Sequence, residues 1–204
     1  MQFKFKYLFI GLYLIFCSFT CRTIQYFVPN YDGIAAMNSD STVNMIIEIP
    51  AGTTAKYEMD KSTSRLKIDS IDGKPRFINY LGYPVNYGMI PNTLLPKNKG
   101  GDGDPLDVLL LGPALERASL HKIRVVGVLK LEDNNEQDDK LIGVPVDSNW
   151  YDIKSIDDLD KFYPGSKLII KTFFENYKGK DQIKMKGWGD KAEAIRLLNT
   201  AISN

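Results

Sequence analysis

Short apolar runs broken by glycine, proline or Asp/Asn clusters fill the middle of the chain: Val43 to Ile49, Ala55 to Met59, Leu66 to Ile71, Val108 to Leu111, Ile123 to Leu131 and Leu141 to Val146. Runs of this length, bounded by turn formers, predict strands. Past Ser155 the period changes. Ile169, Phe173 and Tyr177 recur every four residues, and Ala192 to Ile202 forms a second amphipathic stretch, so two helices are expected to close the chain. Ser155 with Asp158 three residues on predicts a capped short helix through Phe162. Strands first and helices afterwards define an α+β domain built on a small antiparallel barrel, not alternating parallel units.

The N-terminus reads differently. Lys4 and Lys6 precede an uncharged run from Tyr7 to Phe19, too short to span a bilayer comfortably, which resembles a secretory signal. Ser18-Phe19-Thr20-Cys21 is a loose version of a lipoprotein cleavage site, with an uncleaved anchor and a plain cleaved signal as the alternatives. Residues 1–20 are therefore expected to be a signal or anchor segment and residues 21–42, with Pro29, Asn30 and Gly33, a flexible tether. Residues 43–204 would form the folded domain. The expected location is outside the cytoplasm, on the membrane through the N-terminal segment alone.

Composition narrows the chemistry. The chain of 204 residues is 44% hydrophobic and 25% charged, with 26 basic and 25 acidic side chains, the profile of one globular domain with no basic excess for nucleic acid. Its two cysteines, Cys17 and Cys21, both precede the domain, which excludes disulfides, thiol catalysis and Cys-ligated zinc there. Gly-x-Gly-x-x-Gly and Walker-type loops are absent from the sequence. His121 is the only histidine and stands in a polar stretch, so zinc ligation or His-based acid catalysis has no support.

The sharpest feature is Gly101-Asp102-Gly103-Asp104-Pro105-Leu106-Asp107-Val108, three carboxylates within six residues ahead of an apolar strand. Like charges this close repel unless cations neutralise them, so the stretch suggests a hard-metal site with oxygen ligands. An acidic surface turn would account for Asp-Gly-Asp alone. Asp107 is different: it begins an apolar strand, and a partly buried carboxylate needs a partner. Calcium EF-hand spacing fails, because counting from Asp102 puts Asp107 where glycine is required and Pro113 where a bidentate glutamate belongs.

From these residues the chain resembles the soluble family I inorganic pyrophosphatases. The similarity runs from about Met45 to Trp188. It takes in Ile47-Glu48-Ile49-Pro50, Lys56-Tyr57-Glu58, Tyr83-Pro84-Val85-Asn86-Tyr87-Gly88 and Gly127-Val128-Leu129-Lys130. It continues through Asp133 to Lys140, Phe173-Phe174-Glu175-Asn176-Tyr177-Lys178 and Gly187-Trp188. The resemblance implies an OB-like β-barrel with C-terminal helices packed on it, and magnesium-dependent hydrolysis of pyrophosphate by a metal-activated water. It also implies roles: Asp102, Asp107, Asp133 and Asp138 as metal ligands, Asp104 as general base, and Glu48 and Glu58 behind the ligands or reaching metal through water. Lys56, Lys140, Lys178, Tyr87 and Tyr177 would hold phosphoryl oxygens. Where family members often carry Asp-Arg this chain reads Asp69-Ser70, and Arg76 either supplies the missing guanidinium or lies on the surface. Family members are commonly oligomers, so a homo-oligomer is compatible. Two other readings stay open here: a polyanion-binding barrel module, and an inactive, metal-stabilised surface lipoprotein.

Overall fold

A computed structural model describes residues 24–60, 62–97, 101, 103–146, 150 and 152–202. The strands are β1 (Tyr26–Phe27), β2 (Val43–Ile49), β3 (Tyr57–Asp60), β4 (Arg65–Ile68), β5 (Ser70–Ile71), β6 (Lys74–Pro75), β7 (Asn86–Met89), β8 (Asp107–Leu110), β9 (Leu120–Asp133), β10 (Glu136–Gln137), β11 (Lys140–Pro145) and β12 (Ile183–Gly189). The helices are α1 (Asp157–Phe162), α2 (Ser166–Asn176) and α3 (Lys191–Ile202).

The pairing β9-β11-β8-β7-β2 returns to β9, so five strands close a barrel. Closure satisfies the edges that an open sheet of these apolar runs would expose. The 14-residue β9 makes it possible: its first half pairs β2, with Val43 opposite Ile123, and the strand continues along β11 and β12. All neighbours are antiparallel except β8 and β11, which run parallel with Lys140 opposite Asp107. That register matters below, because it sets a buried cation beside an acidic side chain.

Two backbone features shape the same end of the barrel. Glu48 lies where the β2–β7 register shifts, between Ile47 and Ile49, and such a bulge re-aims a side chain. Opposite it, a Cβ on Gly88 would meet the Ile46 carbonyl oxygen at 1.9 Å, so only glycine lets β7 approach β2 so closely. Asn86, fully buried, accepts from the amides of Ala51 (3.1 Å) and Leu115 (2.9 Å) and donates to Pro113 O (2.8 Å). It thereby pins two loops beside β7.

The helices cover the barrel. α2 buries Ile170, Phe173 and Phe174, and α3 buries Ala194, Leu198 and Ala201 against barrel residues that include Val125 and Val128. Ser155 and Asp158 cap the start of α1 reciprocally, with Ser155 N donating to Asp158 Oδ2 at 2.8 Å. One expectation needs correction. The part of the supposed flexible tether that is described is packed on the domain: Val28, Tyr31, Ile34 and Ala36 are buried, and β1 pairs β4. Apolar residues spaced two or three apart there found a hydrophobic surface to cover, which outweighed the turn-forming Pro29 and Asn30. Residues 1–20 and Cys21, the expected signal segment, lie outside the described residues.

Candidate active site

The barrel end defined by Glu48, Asp107 and Lys140 opens into a cavity of about 220 Å³. Glu48, Lys56, Glu58 and Arg76 line one side, and Tyr87 comes from β7. Asp104 and Asp107 flank the entrance to β8, while Asp133, Asp138 and Lys140 border the β9–β11 turn. Tyr177 and Lys178 reach in from just beyond α2. Every candidate named from sequence is thus at this cavity except Asp102, which lies outside the described residues. His121 is elsewhere, hydrogen-bonded through Nε2 to Ser119 at 2.8 Å.

Charges alternate across the cavity. The Lys140 ammonium, only 3% exposed, touches Asp107 Oδ2 and Asp138 Oδ1, both at 2.5 Å. Lys178 pairs with Asp133, and Lys56 with Glu58 at 2.7 Å. Lys56 and Lys140 lie 5.5 and 5.7 Å from the centre of the Tyr87 ring, close enough for a cation–π attraction to each. Arg76 is placed by its pair with Asp69, at 2.8 Å, and by the backbone bond from Arg76 N to Asp69 O. Arg76 thus lines the cavity while bound to Asp69, the aspartate that Ser70 follows in this chain.

Proton affinities follow from burial and from these neighbours. Burial alone would push Lys140 down, but Asp107 and Asp138 outweigh it and hold its proton well above the ordinary lysine range. Lys56 is raised in the same way, burial being opposed by Tyr83, Glu58 and Glu48. Burial lifts Tyr87 and Tyr177 well above the ordinary phenol range, so both stay protonated near neutral pH. Glu48 is pushed up to about 8, by burial first and by the charge of Asp107 second, while Met59 N donates to its Oε1 at 2.8 Å.

The Glu48 shift predicts a pH effect in the metal-free protein. A carboxyl whose proton is held more tightly when folded stabilises the fold at low pH, and this advantage is lost as pH climbs from about 4.5 toward about 8. In EDTA, melting temperature is expected to fall across that window, and Glu48→Gln to flatten the slope. Equal slopes in the two proteins would contradict this.

The donor set suits a hard divalent cation. Cavity carboxylates supply oxygen alone, with neither cysteine nor histidine among the lining residues. Among the described residues no three carboxylates stand together as a ready-made cage. Lys140 sits between Asp107 and Asp138, and Lys178 pairs with Asp133, so lysines neutralise these carboxylates.

Sequence reasoning did not single out Met59, Met89 and Pro105, which also line the cavity, or Tyr83, whose buried ring lies 5.4 Å from that of Tyr87 and 6.0 Å from that of Tyr177. Tyr83 stood inside a quoted motif, and its burial was the missing signal.

Comparison with known proteins gives a concordant result. The family described as inorganic pyrophosphatase matches residues 45–204. An inorganic pyrophosphatase of Gluconobacter oxydans is 39% identical over 168 residues, covering 79% of this chain and 90% of that protein. Among solved structures, the inorganic pyrophosphatase of Helicobacter pylori superposes with a TM-score of 0.70 at 37% identity, covering 83% of this chain and 96% of the other. That of Coxiella burnetii gives 0.72 at 36%, covering 83% and 98%.

One expectation falls with this result. The bacterial and archaeal relatives are soluble proteins, which overturns the reading of an exported, membrane-anchored lipoprotein. No helix among the described residues is long and apolar enough to cross a membrane.

Proposed function

We infer the part played by each cavity residue from one premise: this chain belongs to the family I inorganic pyrophosphatases and hydrolyses pyrophosphate to two orthophosphates. The family depends on magnesium, with several ions at the active site. When bound, magnesium neutralises the substrate and lowers the pKa of water. We assign Asp102, Asp107, Asp133 and Asp138 to hold it, with Glu48 and Glu58 orienting them from behind.

The remaining side chains act on the substrate directly. Lys56, Arg76, Lys140 and Lys178 supply positive charge to phosphoryl oxygens, and Arg76 adds a planar fork suited to bidentate contact. Tyr87 and Tyr177 donate hydrogen bonds, since burial keeps both phenols protonated. Asp104, on the rim beside Asp107, takes the proton of the attacking water. As substrate and cations enter, Lys140 exchanges its contacts with Asp107 and Asp138 for contact with phosphate, so no charge is left uncompensated at either stage. We place the catalytic domain at residues 43–204, with residues 24–42 packed on it.

The observation that carries this reading is the convergence of Asp107, Asp138 and Lys140 with Asp133 and Lys178 in one cavity. The test is orthophosphate release from pyrophosphate by the purified chain, present with magnesium and abolished by EDTA. Arg76→Ala is expected to raise KM roughly 10- to 100-fold, the worth of a charged hydrogen-bonded contact. An unchanged KM would remove Arg76 from the substrate site.

A further inference from the structure

Residues 24–36 precede those matched to the family, 45–204, yet they are built into the wall of the active site. Val28, Tyr31 and Ile34 form one buried cluster with Ile46 and Met89, against which Met59 packs. Met59 and Met89 in turn line the catalytic cavity. The Asn92 side-chain amide donates to Asp32 O at 3.1 Å and Ile34 O at 2.8 Å, tying the same segment to the start of the acidic loop.

The most specific tie runs through Arg117. Its guanidinium lies 3.9 Å from the centre of the Tyr57 ring and 5.5 Å from that of Tyr26. The two rings meet edge to face at 5.5 Å, and Arg117 Nη1 also donates to Glu48 O at 2.8 Å. Side chains alternate along an extended chain, so Tyr57, buried at the start of β3, helps fix the direction of its two chain neighbours, Lys56 just before the strand and Glu58 within it. Lys56 and Glu58 line the cavity, whereas Tyr26, Tyr57 and Arg117 do not.

We propose that the Tyr26–Arg117–Tyr57 stack is a clamp through which the N-terminal segment positions Lys56 for pyrophosphate. Arg117 is a positioning residue. It holds Tyr57 at the start of β3 with its cationic face and the bulged backbone of β2 with its hydrogen bond, and it acts on substrate only through Lys56, the residue just before β3. The segment upstream of the family match is thereby part of the working enzyme. This rests on the substrate contact assigned to Lys56.

The test uses the full chain with Arg117→Ala, Tyr26→Leu and Tyr26→Phe, each alone and combined with Lys56→Ala, reading KM, kcat and melting temperature. Arg117→Ala and Tyr26→Leu are expected to raise KM for pyrophosphate roughly 10-fold, the usual effect of losing a residue that orients a ligand-binding group. Tyr26→Phe, which keeps the ring, should restore KM to within about twofold of the parent, and on the Lys56→Ala background the Arg117 and Tyr26 changes should cost less than about twofold. KM values unchanged in both variants, or equal losses with and without Lys56, would overturn the clamp. Should Arg117→Ala fail to fold, the Tyr26 pair decides by the same criteria. An error in the role of Lys56 is distinguishable, because Lys56→Ala alone would then leave KM unaffected.

Discussion

Asp104→Asn is expected to lower kcat by roughly 10²- to 10⁴-fold, the range for removing a general base, with almost no change in melting temperature. Asp104 is exposed at the rim of the cavity, and asparagine has nearly its shape, so the fold has little to lose. Backbone bonds hold the local chain. Gly103, at φ +85°, turns the chain, Gly103 N donates to Leu95 O at 2.9 Å, and Leu95 N donates to Asp104 O at 3.2 Å. The next anchor is Thr93 Oγ1, which accepts from Leu106 N at 2.9 Å. Asparagine therefore arrives in the same place without the charge that takes a proton. Steady-state phosphate release and a thermal melt on the same preparation check both halves. A kcat within threefold of the parent, about 0.65 kcal/mol of barrier, would assign the base elsewhere.

Lys140→Met should do the opposite to stability. In the metal-free protein it removes the cation between Asp107 and Asp138, whose side chains are only 18% and 13% exposed. Leaving buried charge unpaired costs about 3–5 kcal/mol, which for a domain of this size corresponds to a fall of roughly 10 °C in melting temperature. Saturating magnesium is expected to restore most of that loss, because divalent cations neutralise the same carboxylates, while activity stays depressed for want of the phosphate contact. Lys178→Met, at a more exposed pair with Asp133, should cost at most about 1 kcal/mol in EDTA. An equal loss with and without magnesium would show that Lys140 and the metals do not share these carboxylates.

What the sequence could reveal differed from element to element. Val43 to Ile49 and the core of β9 were legible because continuous apolar runs bounded by turn formers suit barrel strands buried in the core. β7 was missed because Asn86 and Gly88 lower its apparent strand character, although one pins loops and the other permits close approach. β12 was missed because Lys184, Lys186 and two glycines dilute it, and its pairing with β9 comes only from the tertiary fold. The parallel register of β8 and β11, which sets Lys140 opposite Asp107, is a long-range fact with no local signature.

Site residues were more legible than the geometry that supports them, because clustered carboxylates ahead of a strand are costly enough to demand a reason. The clamp residue Arg117 carried no such signal: alone, an arginine in a polar loop reads as surface. The location reading failed for a related cause. A basic start followed by a short apolar run reports local composition, and similarity across the folded domain to soluble relatives is the stronger observation on location.

The account turns on divalent cations and substrate displacing lysine contacts inside one cavity. Crystals grown with manganese and a non-hydrolysable pyrophosphate analogue should show anomalous peaks bonded to carboxylate oxygens of Asp107, Asp133 and Asp138, with the Lys140 ammonium turned to a phosphoryl oxygen. Peaks confined to other carboxylates, with Lys140 still seated between Asp107 and Asp138, would contradict it.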